Sequence, residues 1–235
     1  MIAQIQQSVE SRGLLIRAAF HVTPGDQVPP LENGGPTGTL LLIGNAGSAM
    51  WAAFTRSAEY NDGQADALDR WSIRLGRRLA RQFGGAVLFP FGGPPFHPFL
   101  SWAKRGDGSV ASPLGLSLHP QYGLWHAYRF GLCLPQRLEG LPVLPEPTDL
   151  CQRCADKPCL DACPVEAFSG TEYRHTRCAQ FLSQSPDHDC NHRGCHSRRA
   201  CPVGKTYQYQ PDHAQFHMRV FVSRHGCGCA SAVDG

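Results

Sequence analysis

Apolar residues recur along this chain in two ways, and each predicts a different element. Leu14 to Val22 (LLIRAAFHV) and Thr39 to Ile43 are rich in β-formers or continuously apolar, as strands buried on both faces are. Between Asp66 and Phe83, residues Leu68, Trp71, Leu75, Leu79 and Phe83 return at helical spacing, with Arg70, Arg74, Arg77, Arg78 and Arg81 on the other faces. That pattern predicts an amphipathic helix packed on a core, its arginines forming a solvated face. Trp125 to Leu134 predicts a late strand. Strands alternating with helices imply an α/β or α+β layered fold rather than a bundle or a sandwich.

The 25 Gly and 19 Pro among 235 residues add many turns to this picture. Three prolines between Leu141 and Pro147 read as an extended, semi-rigid linker, which divides the chain into parts 1–147 and 148–235. A net charge of +3, with basic and acidic residues interleaved, gives no argument for a nucleic-acid partner, and none is expected. Met1 to Gln7 shows no secretory leader, and the longest apolar run, Leu40 to Ile43, is far short of the roughly 20 residues a membrane-spanning helix needs. The expectation is a cytoplasmic protein with no membrane partner, in which eleven cysteines are metal ligands rather than disulfides.

Ten of those cysteines follow the linker; Cys133 is the exception and reads as a small buried side chain. The first run is Cys151-x2-Cys154-x4-Cys159-x3-Cys163-Pro164, and the second is Cys178, then Cys190-x4-Cys195-x5-Cys201-Pro202. Four thiolates crowded into thirteen residues, with Cys-Pro steps in matching positions, predict [4Fe-4S] clusters. Zinc, the alternative, uses well-separated cysteine pairs. In two-cluster ferredoxins the cysteine before the proline crosses to the other cluster. The same logic assigns Cys151, Cys154, Cys159 and Cys201 to one cluster, and Cys163, Cys178, Cys190 and Cys195 to the other. His188, His192 and His196 stand close enough to substitute as ligands in the irregular second run. Arg174, Arg177, Arg193, Arg198, Arg199 and Lys205 surround that run, and positive charge near a reduced cluster raises its potential. The terminal Cys227-Gly228-Cys229 is a weak motif with no assigned role.

The stretch HPQYGLWHAYRFGLCLP, a proline-rich connector and CQRCADKPCLDACPVEAF, together with Arg177-Cys178-Ala179-Gln180-Phe181-Leu182, resembles the corresponding region of epoxyqueuosine reductase. The segment HPQYGLWHAYR also resembles the cobalamin-processing (decyanating) chaperones. Those families, with the reductive dehalogenases, use a nitroreductase-like fold to bind cobalamin. The resemblance implies a nitroreductase-like, cobalamin-binding-type first domain and a C-terminal ferredoxin-like module with two clusters. It places Arg129 at the arginine near the corrinoid and brings in Tyr122 and Trp125 of the same segment. The cysteine spacings are longer than the family's, and no tRNA-binding repeat extension is recognisable. A catalytic aspartate cannot be placed: Asp107 is in a plausible neighbourhood, but Gly106-Asp107-Gly108-Ser109 also reads as an ordinary turn.

Two further segments fit a cofactor pocket. Phe89 to Phe99 is a stiff aromatic loop able to lie against a flat macrocycle, with His97 as a polar or axial group, or else a rigid cap on the core. Leu42 to Ser48 is a strand running into a glycine turn, either an anion site at a helix start or simply a tight turn. The expected function is passage of electrons through two clusters to a corrinoid held by the first domain. The partners are a small-molecule redox cofactor and a protein electron donor or acceptor. A dicluster carrier with only a docking domain, and a flavin in place of the corrinoid, are the alternatives. No acid-base set for a substrate is legible.

Overall fold

The computed structural model describes residues 1–142, 149–170 and 172–226. Most of the proline-rich linker and Cys227 and Cys229 lie outside the described residues. The chain begins with α1 (Ile2–Glu10), which buries Ile5 and Val9, and continues into β1 (Leu15–His21) and β2 (Thr39–Ala46). Two short helices, α2 (Trp51–Thr55) and α3 (Ala58–Asn61), precede α4 (Ala67–Phe83). Next come β3 (Ala86–Leu88), α5 (Phe99–Asp107), the hairpin β4 (Val110–Ala111) and β5 (Ser117–Leu118), and β6 (His126–Leu134). The expected strands and long helix are present with boundaries shifted slightly. β2 runs past Ile43 because Gly44, Asn45 and Ala46 still pair with Tyr128, Ala127 and His126.

The main sheet is antiparallel, in the order β1-β2-β6-β3. Every residue of β2 is buried, which is why its sequence is apolar without alternation. Leu41 and Ile43 join Trp71 and Phe54 on the face covered by α1, α2 and α4. Leu40 and Leu42 join Phe99 and Trp102 on the face covered by α5. Each such fully buried leucine contributes about 1.5–3 kcal/mol. The result is a mixed α/β layered fold.

Two bulges interrupt the sheet on either side of Gly44. Ile16 pairs with Ile43 and Ala18 with Leu42, leaving Arg17 unpaired. Ile43 pairs with Phe130 and Gly44 with Tyr128, leaving Arg129 unpaired. An extra residue re-aims the side chains that follow it. Thus Ile16 packs on the α4 face and Ala18 on the α5 face, and Tyr128 and Phe130 are likewise split.

After the linker the helices are short: α6 (Leu150–Arg153), α7 (Pro158–Asp161), α8 (His175–Gln184), α9 (Asp189–Arg193) and α10 (His196–Ala200). Pro164 and Pro202 follow cysteines, where proline disfavours helical backbone in the residue before it. The last element, α11 (Pro211–His225), returns to the first part. Its Phe216 packs on the α4-side core, and His213 stacks on Trp51 at 4.7 Å and 15°. A second joint is made of backbone. Gly123 (φ +58) and Gly204 (φ +70) meet there; a Cβ on Gly123 would lie 2.0 Å from Val203 O, and one on Gly204 2.3 Å from the Tyr122 carbonyl carbon. Only glycine tolerates both that approach and that conformation.

Candidate functional site

The first thiol set is gathered from both cysteine runs. Cys151, Cys154, Cys159 and Cys201 line one cavity of about 50 Å³, walled by Pro113, Leu118, Leu150, Pro158 and Val203. Leu114, Leu118 and Leu124 of the first part pack with Cys159 and Cys201 in one apolar cluster. Burial pushes the Cys151 thiol up, and the charges of Cys201, Cys159 and Cys154 push it further. Cys159 is raised by burial and then by Cys201, and Cys201 by burial and then by Cys154.

The remaining four form a second set. Burial pushes Cys178 up to about 11, and Cys195, Cys163 and Cys190 add to the shift. Cys190 is likewise pushed up to about 11 by burial, with Cys195 contributing. Cys195 is raised by burial and by Cys163. The three histidines beside this set have partners in the chain. His188 Nδ1 accepts from Cys190 N–H at 3.2 Å, His196 Nε2 meets Asp189 at 2.9 Å, and His192 Nδ1 meets Gln215 Nε2 at 3.1 Å. Among the described residues, no group of three or more His, Cys, Asp or Glu is placed to hold a single metal ion. Cys133 is buried against the α5-side core, with its thiol pushed up to about 12 by burial.

Beside the first thiol set, on the Leu118–His126 side, lies a polar network that the residue pattern did not reveal. Bulged Arg17 donates from Nη2 to Asp107 Oδ2 at 3.1 Å and from Nη1 to the Asn45 carbonyl at 3.2 Å. Its guanidinium lies 4.5 Å from the Tyr122 ring centroid. The Tyr128 hydroxyl donates to the same Asp107 oxygen, and Ser109 N–H donates to Asp107 Oδ1 at 3.0 Å. Asp107 is therefore more than a turn residue. It ends α5, and its carboxylate is wholly buried against Arg17. Burial, followed by the Asp107 charge, pushes the Tyr128 phenol above its ordinary value. His119 Nδ1 accepts from Gln121 and Tyr122 N–H, and its pKa is pulled down to about 4 by burial and Arg17. His126 donates from Nε2 to the Ser117 carbonyl at 3.0 Å, which leaves the lone pair on its buried, unpartnered Nδ1.

The four residues expected at a cofactor are placed separately. Arg129 is buried and donates from Nε to Asn45 Oδ1 at 3.2 Å. Trp125 lies beneath Arg198, whose guanidinium is 4.5 Å from the rings of both Trp125 and Tyr209. Tyr122 is stacked on His119 and under Arg17. His97 lines a cavity of about 200 Å³ with residues of the 87–96 loop, and Tyr122, Trp125 and Arg129 do not line it. A neighbouring cavity of about 280 Å³ lies between Leu100, Ser101 and Lys104 of α5 and the β4–β5 hairpin. Val110 belongs both to its lining and to the apolar cluster around Cys159 and Cys201. Phe96, Leu100 and Leu116 stand exposed in this region at 66%, 69% and 43%.

The Gly44-to-Ser48 turn is filled by its own chain. Ser48 Oγ accepts from Gln210 N–H at 2.9 Å and shares a hydrogen bond with His213 Nδ1 at 3.0 Å, and α2 is a single turn. The tight-turn reading holds, and the anion-site reading does not.

The fold resembles that of epoxyqueuosine reductase and of a B12-trafficking protein. An epoxyqueuosine reductase solved with a tRNA-Tyr epoxyqueuosine-modified stem loop matches at TM-score 0.44 and 16% identity, over 92% of this chain and 69% of that one. The C. elegans protein CblC matches at 0.46 and 13%, over 99% and 97%. The Bacillus subtilis epoxyqueuosine reductase matches at 0.45 and 17%, over 89% and 68%. These are the two groups whose segments the chain resembles in sequence. No protein-family model and no curated protein sequence matches the chain. The expectation, drawn from net charge, that nucleic acid has no part is withdrawn: one of these reductases, as a property of that protein, was solved with a tRNA stem loop. No helix among the described residues is long and apolar enough to cross a membrane.

The buried histidines make stability depend on pH in a calculable direction. Burial first, then Arg17, holds His126 down at about 2; burial, then Arg129 and Arg198, holds His213 at about 3. Both folded values lie below the ordinary value of about 6.5, so below that pH the unfolded chain binds protons that the folded chain refuses. Their stabilisation is complete above about pH 6.5 and is lost as pH falls toward the folded values. Urea denaturation midpoints are expected to fall between about pH 7 and pH 5, with a shallower slope in His126→Gln or His213→Gln. A flat midpoint across that range would contradict the assignment.

Proposed function

We propose that this chain is an iron-sulfur redox protein in which two all-thiolate sets each hold a [4Fe-4S] cluster. The observation that carries the reading is the cavity shared by Cys151, Cys154, Cys159 and Cys201, with Cys201 drawn from the other run. An all-sulfur donor set in an apolar cavity, fed by closely spaced cysteines rather than well-separated pairs, fits a cubane cluster better than zinc. Such clusters supply one-electron transfer. The chain's own contribution is position: Leu118, Leu124 and Val110 seat the first set against the part comprising residues 1–147. The second set belongs to residues 148–235.

The acceptor we propose is a corrinoid on the surface beside His97. Phe96, Leu100 and Leu116 offer exposed apolar area that a flat macrocycle would cover, next to a cavity whose Val110 also packs in the apolar cluster of Cys159 and Cys201. Trp125 meets Arg198 and Tyr209, and Tyr122 meets Tyr207, so these two residues hold the returning C-terminal segment, while Arg129 donates to Asn45. A cytoplasmic setting would keep the thiols reduced for cluster assembly.

Anaerobic purification with iron, sulfide and chromophore analysis tests the reading. About eight irons and eight sulfides per chain are expected. Cobalamin added to the reduced protein is expected to give a cobalt spectral change. Zinc in the thiol sites would overturn the cluster assignment. Eight irons without cobalamin binding at micromolar concentration would leave a dicluster electron carrier.

A further inference from the structure

The arginines of α4 fall into two groups. Arg70 donates to both carboxylate oxygens of Asp62 at 2.7 and 2.8 Å, and Arg74 donates to both oxygens of Glu59. Farther along the helix, Arg77, Arg78 and Arg81 stand exposed, and none of them makes an ion pair or a hydrogen bond among the described residues. Arg74 with Arg78, Arg77 with Arg81, and Arg78 with Arg81 are like charges one turn apart, a spacing that destabilises a helix. Arg12, just beyond the end of α1, is equally exposed and unpaired among the described residues.

Arg12 and Arg78 line one cavity of about 150 Å³ between α1 and α4. Val9, Leu14, Leu75 and Leu79 form its apolar floor, each buried in the α4-side core. Ser8 and Ser11 also line it, but their hydroxyls donate to the Gln4 and Ser8 carbonyls at 2.8 and 2.9 Å. The donors available to a ligand are therefore the two guanidinium groups and the amide of Gln82. No carboxylate among the described residues lines the cavity. Glu10, next to it in sequence, accepts from Gln6 Nε2 at 2.9 Å and stays outside the lining.

We propose that this cavity binds a small phosphate monoester, with the phosphate between Arg12 and Arg78 and its carbon chain on the apolar floor. A carboxylate has one charge and is matched by the fork of a single arginine. A phosphate monoester carries about −1.5 to −2 charges at neutral pH and has oxygens enough for two such forks. The cavity is smaller than the roughly 300–1,000 Å³ of sites for drug-sized ligands, so the ester's carbon body is short. Binding would also relieve the repulsion along α4 and tie α1 to it. The stripe is then more than the solvated face its spacing predicts. The site shares no lining residue with the thiol cavity or the His97 cavity, so the inference is independent of the cluster and corrinoid readings.

Isothermal titration calorimetry of the full chain at constant ionic strength tests it, with glycerol phosphate, inorganic phosphate and acetate as probes. Saturable binding of one glycerol phosphate per chain is expected, tighter than inorganic phosphate and about tenfold or more tighter than acetate. Arg12→Gln and Arg78→Gln should each weaken glycerol phosphate about tenfold or more, because each removes charge-assisted hydrogen bonds. Arg77→Gln, on the same stripe but outside the cavity lining, should bind like the wild type. Glycerol phosphate should raise the Tm of the wild type and of Arg77→Gln, and leave that of Arg78→Gln in place. Equal losses in Arg77→Gln and Arg78→Gln, or acetate binding as tightly as glycerol phosphate, would show a diffuse charged surface and overturn the inference. Inorganic phosphate binding as tightly as the ester would overturn the carbon-binding floor.

Discussion

Cys201→Ala is expected to empty the site built mainly from the first cysteine run, lowering iron from about eight to about four per chain. Cys201 lies beyond Cys190 and Cys195 in sequence, yet it lines the cavity of Cys151, Cys154 and Cys159. Double variants separate this crossing from a sequential arrangement. Cys151→Ala with Cys201→Ala removes two ligands of one cluster and should still leave about four irons, whereas Cys178→Ala with Cys201→Ala strikes both clusters and should leave close to none. The reverse pattern would show that each run closes its own cluster. Iron and sulfide analysis decides it, and EPR of the reduced variants identifies the surviving signal.

Asp107→Ala is expected to be among the most destabilising single substitutions in the first part of the chain, costing about 3–5 kcal/mol. The variant strands the Arg17 guanidinium, whose side chain is 1% exposed, with the Asn45 carbonyl as its remaining hydrogen-bond partner and Nε already unpartnered. Tyr128 loses the acceptor of its hydroxyl in the same step. For a chain of this size that cost corresponds to a fall in Tm of about 6–20 °C by thermal circular dichroism. The combined change Arg17→Met with Asp107→Leu should recover much of the loss, since two apolar residues of similar volume leave no buried charge behind. A loss below about 1 kcal/mol in the single variant would mean that water reaches the pair.

The residues that pattern alone could place were those whose role depends on their immediate neighbours. The apolar run of β2 and the helical spacing of α4 announce themselves because a buried strand and an amphipathic helix each demand a local repeat. The polar residues inside were illegible for the opposite reason. Arg17 looks like an ordinary interruption of a strand, and only the bulge in the β1–β2 pairing turns it inward to meet a carboxylate 90 positions away. Asp107 sits between two glycines, so its sequence context announces a turn and conceals the ion pair. His213 and Tyr209 had no reading at all, because their partners Trp51, Ser48 and Trp125 belong to the other half of the chain.

The cysteines stand between these cases. Spacing and the two Cys-Pro steps by themselves predict sets of four thiolates, because a cluster needs convergent ligands and short loops supply them cheaply. Tertiary structure decided what surrounds each set. The glycine joint at Gly123 and Gly204 brings the segment after Cys201 against the turn before β6, so one set faces the apolar edge of the sheet domain. The turn after the first cysteine run gives the other set a main-chain donor, Ala167 N–H on Cys163 Sγ at 3.2 Å. Ligand type follows from residue identity and spacing along the chain, whereas hydrogen bonding and burial of the sulfurs depend on distant segments that only folding brings together.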